Sequence, residues 1–132
     1  MKNKIHNVKY DDFITTESAL REGETLFVAE FDGRKIKDLQ DYFYTASEIL
    51  DFPIPSTIFD SYSDWIRDLM WLEKDGYVLV IYEYTSFLAQ YPSSKEKIIE
   101  GLKNLILPWW EKEVEYYQVG GKPKPFNVYL VD

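Results

Sequence analysis

Cysteine is absent from this 132-residue chain, and histidine occurs only once, at His6. Without thiols, the chain cannot form a disulfide or a thiolate zinc site, and it has no cysteine nucleophile. With no histidine after the N-terminal stretch, a Ser/His/Asp arrangement cannot be assembled in the rest of the chain. Glycine-rich phosphate loops are also missing. The sequence therefore predicts no enzyme and no cofactor.

Long apolar runs and an excess of positive charge are missing as well. The longest apolar runs cover only residues 77–82 and 105–110, whereas a helix needs about 20 apolar residues to cross a bilayer. The first residues carry charges but no apolar stretch of the kind a secretory signal needs. The net charge of −8 would repel the phosphates of nucleic acids. We therefore expect a cytoplasmic protein that binds neither membranes nor nucleic acid.

Enough apolar residues are present for one folded domain, because 45% of the chain is hydrophobic and 17% is aromatic. Short β-favouring runs predict three strands, over residues 25–31, 77–84 and 126–131. Apolar residues at spacings of three and four predict helices over residues 38–50 and 58–70. A further helix is predicted to begin at the capping box Ser93-x-x-Glu96 and to kink or end at Pro108.

The connections between the predicted strands are longer than a dozen residues, so the sheet should be parallel and covered by helices. The sequence thus predicts an α/β fold with a small three-stranded parallel sheet. Residues 25–132 form this domain, and residues 1–24 are assigned to an N-terminal extension of unknown conformation.

Acidic residues are concentrated in residues 38–75. This segment contains nine acidic and two basic residues and carries −7 of the net charge of −8, whereas the other 94 residues carry only −1. Within it, Asp60, Asp64 and Asp68 recur every four residues and are expected to share one face of the second helix. Like charges at this spacing repel each other, so the pattern costs stability.

Three interpretations of this carboxylate row are open at this point. The first is the solvated face of an acidic protein, which is common. The second is part of a metal site, although three carboxylates on one helix need further oxygen ligands from elsewhere. The third is a surface that binds a basic protein, because complementary charge speeds association and disfavours wrong partners.

Residues 59–72, FDSYSDWIRDLMWL, resemble the signature segment of the barstar family, which usually reads W-D-A-L-x-D-C-L-x-D-L-x-W. The flanking pieces agree in order. The family's D-G-x-x-I is present as residues 32–36, its F-P loop as residues 52–53, its second strand as residues 75–81 and the start of its last strand as residues 125–128. The resemblance covers residues 25–132.

Barstar-like proteins are intracellular inhibitors of barnase-type ribonucleases, and their fold is a three-stranded parallel sheet with helices. The resemblance implies that fold and a basic, barnase-like ribonuclease as the partner. In the family, the acidic helix and the loop before it enter the ribonuclease active site. The resemblance places Asp60 and Asp64 at the two family aspartates that dominate binding, with Asp64 the central one. The residues implied to contact the partner are Asp60, Asp64, Asp68, Ile54, Ser56, Ile58, Ser63 and Trp65.

Several of these positions depart from the family pattern. Ile54, Ser56 and Ile58 stand where the family often has an aromatic residue, a glycine and an asparagine, which favours a different ribonuclease or a more divergent toxin as the target. Ser63 and Trp65 are also atypical, and Trp65 is predicted to be either an exposed anchor or a core residue. The candidates for a further family glutamate, late in the helix before the last strand, are Glu111, Glu113 and Glu115.

The resemblance therefore predicts an immunity protein of a toxin–antitoxin pair, which protects the producing cell from a ribonuclease. The alternative is a barstar-fold module that binds a non-ribonuclease partner through the isoleucine-bearing loop. A third interpretation is a hydrolase in which Asp60 and Asp64 act as an acid and base pair.

Overall fold

The sheet is parallel, as the sequence predicts, but it has four strands rather than three. The computed structural model describes residues 1–132, and its strands are β1 (Ile5–Val8), β2 (Leu26–Asp32), β3 (Gly76–Tyr82) and β4 (Phe126–Val131). They form one sheet in the order β1–β4–β3–β2. The helices are α1 (Tyr10–Arg21), α2 (Leu39–Ile49), α3 (Phe59–Ile66), α4 (Pro92–Gly101) and α5 (Val114–Tyr117). At least one helix lies in every connection between strands, because parallel strands need a crossover.

Strand β3 lies inside the sheet and is buried on both faces, which explains its unbroken apolar sequence. Its alternate residues point to opposite sides. Tyr77, Leu79 and Ile81 face the main core, which also contains the buried side chains of α2, α3 and α4. Val78 and Val80 face a smaller cluster on the side of α1. The helices with the acidic segment thus pack on one face of the sheet.

The fourth strand comes from residues 1–24, and the prediction of a three-stranded sheet is wrong on this point. Strand β1 pairs in parallel with β4, with Ile5 opposite Val128. Helix α1 follows and buries Phe13 against Val78, Val80 and Val131. The sequence signal is weak because β1 has only four residues and α1 buries a single side chain. Tertiary packing, rather than local pattern, determines both elements.

Replacing Phe13 tests whether this N-terminal part is needed for stability. We expect Phe13→Ala to lower the free energy of unfolding by about 3 kcal/mol, because it leaves a cavity over the second face of the sheet. Ile14 is the matched control, since it lies next to Phe13 in α1 but is exposed, so Ile14→Ala should cost about 0.5 kcal/mol or less. Urea denaturation of both variants measures the difference. Equal, small effects would show that α1 contributes little.

The last helical region continues past Pro108, so of the two predicted outcomes, a kink or an end, the end is wrong. Helix α4 passes without a break through two π-helical segments, Leu102–Ile106 and Trp109–Glu113, into α5. The π segments flank Pro108 and shift the hydrogen-bond register around a residue that lacks an N–H. None of the helices is both long enough and apolar enough to span a membrane.

The predicted capping box at Ser93 is wrong as well. Helix α4 begins at Pro92, with Tyr91 as its N-cap, and no side chain caps it. Proline suits the first helical position because its fixed φ matches the helix and its missing N–H would have had no partner there. The helix therefore starts before the serine that the sequence pattern favours.

Candidate functional site

Helix α3 presents Asp60 and Asp64 to solvent and buries its opposite side. Both aspartates are exposed, and the Asp64 side chain is 77% exposed. Tyr62 and Ile66 point into the core and are completely buried. Because Asp60 and Asp64 lie four residues apart, they are neighbours on the outer face of the helix. Asp60 also lies in the first turn, where a carboxylate is stabilised by the helix dipole.

The helix is shorter than predicted, and Asp68 lies outside it. Helix α3 ends at Ile66, not at residue 70. Leu69 then adopts a left-handed conformation with φ of 55°, which stops the helix. The Asp68 carboxylate accepts a hydrogen bond from the Met70 amide at 3.2 Å and so fixes the turn that follows. Asp68 is therefore less exposed than Asp60 and Asp64, and the three carboxylates do not form one helical row.

Two indole N–H groups hold the C-terminal end of α3. Trp109 Nε1 donates to the Arg67 carbonyl oxygen at 2.8 Å, and Trp110 Nε1 donates to the Ile66 carbonyl oxygen at 3.0 Å. The last carbonyls of a helix have no partner inside it, so these bonds act as its cap. The two tryptophans are adjacent and begin a π-helical segment. Consecutive side chains of a π-helix point in more similar directions than those of an α-helix, so both indoles reach the end of α3.

A buried pair of tyrosines fixes α3 against α2 on its inner side. The Oη atoms of Tyr42 and Tyr62 are 2.6 Å apart, and both residues are completely inaccessible to solvent. Burial raises the pKa of Tyr42 and of Tyr62, so both hydroxyls stay neutral. Each hydroxyl therefore depends on the other for its hydrogen bond.

A double-mutant cycle on this pair tests how firmly α3 is held. We expect Tyr62→Phe to lower the free energy of unfolding by about 1–3 kcal/mol, because it leaves the Tyr42 hydroxyl buried without a partner. The double variant Tyr42→Phe/Tyr62→Phe should be more stable than either single variant, because no polar group is left unpaired. Additive losses measured by chemical denaturation would contradict the pairing.

Arg67 is the one basic side chain in contact with the exposed carboxylates. Its Nη2 lies 3.3 Å from Asp64 Oδ1, and its Nε donates to the Ser63 carbonyl oxygen at 3.2 Å. The guanidinium carbon lies 5.3 Å from the centre of the Trp109 ring. Since the Asp64 carboxylate is mostly in water, this ion pair contributes little to stability. It leaves Asp64 available to a stronger cationic partner.

A groove of about 400 Å³ lies between the acidic helix and the loop before it. It is lined by Ile54, Pro55, Ser61, Asp64, Trp65 and Asp68. Trp65 is half-buried and packs edge-to-face against Trp71, with ring centres 5.6 Å apart. Trp65 is thus both a core neighbour and part of the groove. Ile54 and Ile58 of the loop are exposed large apolar residues.

Ser56 and Ser63, which the resemblance implied as contact residues, are not on this surface. They are only 3% and 4% exposed. The amide of Ser56 donates to Ser47 Oγ at 2.9 Å, which ties the loop to α2. Ser63 faces inwards next to Tyr62. Small side chains are needed at these positions because the loop and α3 pack closely against their neighbours, so both predictions of direct contact are corrected.

The three candidate glutamates of the last helical region differ in their surroundings. The Glu111 carboxylate accepts a hydrogen bond from the Asn3 amide at 2.8 Å, so it helps hold the N-terminal segment. Glu113 is half-buried and Glu115 is exposed. Glu113 and Glu115 are therefore the two candidates whose carboxylates are free to bind a partner.

Three important residues of the site were not predicted. Arg67, Trp109 and Trp110 orient or hold the acidic helix. In the sequence, the pair Trp109-Trp110 beside Pro108 was the available signal, since a buried indole N–H usually finds a hydrogen-bond acceptor. Their acceptors on α3 lie more than 40 residues away, so only the fold reveals them.

Comparisons with known proteins bear on the fold and the family of this chain. No curated protein sequence matches the chain significantly. Among solved structures, the ORC2 protein of Aeropyrum pernix, determined as ADPNP–ADP complexes, aligns with 98% of this chain at 16% identity and a TM-score of 0.56. The chain covers only 34% of that protein, and the likeness shows a shared α/β fold alone. The family model described as barstar (barnase inhibitor) matches residues 26–128, so this chain belongs to the barstar family.

Proposed function

We propose that this protein inhibits a barnase-type ribonuclease by placing Asp60 and Asp64 in the enzyme's cationic cleft. The observation that carries the proposal is the joint exposure of these two carboxylates on one face of α3. A site that binds RNA phosphates must carry positive charge. Carboxylates at the spacing of one helical turn can occupy that site and exclude the substrate.

The rigidity of α3 favours this mechanism. Its inner side is fixed by the Tyr42–Tyr62 hydrogen bond, and its C-terminal end is capped by Trp109 and Trp110. The carboxylates are thus oriented before binding, and little conformational entropy is lost when the complex forms. Complementary charge between the acidic surface and a basic enzyme also speeds association.

The groove beside Asp64 supplies a second element of recognition. Ile54 and Pro55 line this groove together with Asp64 and Asp68. A side chain of the partner that combines an apolar body with a positive charge fits such a groove. We include Asp60, Asp64, Asp68, Ile54, Ile58 and Trp65 in the proposed contact surface.

An inhibitor of this kind acts where an uninhibited ribonuclease would degrade cellular RNA. We therefore place the protein in the cytoplasm, as the immunity partner of a ribonuclease toxin and not as an enzyme. The match to a family described as barnase inhibitors supports this role.

An inhibition assay tests the proposal directly. The purified protein is mixed with barnase and other barnase-type ribonucleases, and cleavage of a fluorogenic RNA is followed. Stoichiometric loss of activity is expected for at least one of them, while a ribonuclease of unrelated fold should keep its activity. Full activity of every barnase-type enzyme at excess inhibitor would count against the proposal.

A second candidate function is a barstar-fold module for a partner that is not a ribonuclease. The exposed Ile54 and Ile58 favour it, because exposed apolar side chains beside a groove are typical of contact surfaces. Under this alternative, a purified partner binds the acidic surface of this protein and no longer binds its Asp64→Asn variant. The partner itself cleaves no RNA. Such a partner would replace the ribonuclease in the proposal.

A further inference from the structure

An exposed aromatic surface adjoins the acidic helix. Tyr117, in α5, is 78% exposed and stacks on Trp109, with ring centres 6.4 Å apart. We call these two side chains the aromatic ledge. The function proposed above does not use it.

Three contacts connect the ledge to the proposed binding surface. Asp64 pairs with Arg67, the Arg67 guanidinium lies over the Trp109 ring, and Trp109 stacks with Tyr117. An interface of ordinary size covers about 800 Å² on each partner. The ledge is therefore within the reach of a partner that binds Asp64.

Tyr117 is one of several large apolar side chains that are exposed in this part of the fold. Other large apolar side chains near α3 are also exposed, with Ile54 and Ile58 before the helix and Met70 after it. Exposed apolar residues that surround a charged centre are typical of protein contact surfaces. Tyrosine is well suited to such a surface because its ring is large and has few rotatable bonds.

We propose that Tyr117 is a second anchor for the same ribonuclease, and that its ring face binds an arginine or lysine at the rim of the cationic cleft. This inference rests on the proposed function. The neighbouring Arg67 shows that a guanidinium is accommodated on this ledge, since it lies 5.3 Å from the centre of the Trp109 ring. Glu113 lies four residues before Tyr117 in the same helical region, a spacing that places its carboxylate on the same face, so a cationic group is favoured over an apolar one.

Inhibition constants of tyrosine variants test the assignment. The probe is whichever barnase-type ribonuclease the unmodified protein inhibits most strongly. Tyr117→Ala is expected to weaken inhibition by about 10- to 30-fold, the size of a desolvated cation–π contact. Tyr117→Phe keeps the ring and should stay within about threefold of the unmodified protein. Tyr116→Ala is the matched control, because Tyr116 is 77% exposed and makes no aromatic stack.

Two further measurements separate the possible outcomes. Thermal unfolding of Tyr117→Ala should stay within about 5 °C of that of Tyr116→Ala, the loss expected for one aromatic stack, and a much larger loss of stability would overturn the binding role. Equal inhibition constants for Tyr117→Ala and the unmodified protein would also overturn it, even where Asp64→Asn strongly weakens inhibition and the proposed function stands. If the unmodified protein inhibits none of the ribonucleases, the proposed function and this inference both fail.

Discussion

Asp64→Asn is expected to weaken ribonuclease inhibition by about 10²- to 4 × 10³-fold. Removing one partner of a buried charge pair costs about 3–5 kcal/mol, because the remaining cations of the enzyme stay desolvated without a counter-charge. Barnase and barstar are themselves the standard pair for such measurements, so the family supplies the expectation that one aspartate dominates. Asparagine keeps the size of the side chain and removes only the charge.

The control for this variant is an exposed aspartate outside α3. Asp75 lies directly before β3 and is exposed, so Asp75→Asn removes one negative charge, as Asp64→Asn does, and should change inhibition by less than about threefold. Urea denaturation should give both variants a stability within about 1 kcal/mol of the unmodified protein, because the Asp64–Arg67 pair is exposed. Similar losses of inhibition in both variants would point to bulk charge rather than to the position of Asp64.

Trp110→Ala is expected to cause the largest loss of stability, about 5 kcal/mol. The indole is buried against Tyr77 with ring centres 5.2 Å apart, and its N–H caps the Ile66 carbonyl. The substitution therefore creates a large cavity and also leaves a buried acceptor without a partner. Domains of this size are stable by only about 5–15 kcal/mol, so this substitution removes about a third or more of the free energy of unfolding.

Trp110→Phe separates the two contributions. It retains most of the ring volume but removes the N–H donor, so a loss of about 1–3 kcal/mol is expected. Amide hydrogen exchange should then show faster opening at the C-terminal end of α3 than in the centre of β3. A stability equal to that of the unmodified protein would mean that water replaces the indole cap.

The inner elements of the fold follow from the sequence because each carries its own local signal. The apolar run in β3 and the capped, amphipathic α2 lie within a residue or two of their predicted positions. Asp38 caps α2 by accepting a hydrogen bond from the Asp41 amide at 2.8 Å. Strand β1 and helix α1 could not be predicted in this way, because their stability comes from β4 and from the second face of the sheet.

The charge and spacing of Asp60 and Asp64 were determined by the sequence alone, since an α-helix places residues four apart on one side. Only the tertiary structure decided that Ser56 and Ser63 are buried, that Asp68 leaves the helix, and that Trp109 and Trp110 cap its end. Local patterns encode periodicity, whereas these features depend on contacts between residues far apart in the chain. The physical reason is that a helix end and a buried hydroxyl are defined by their partners, and those partners are brought close only by folding.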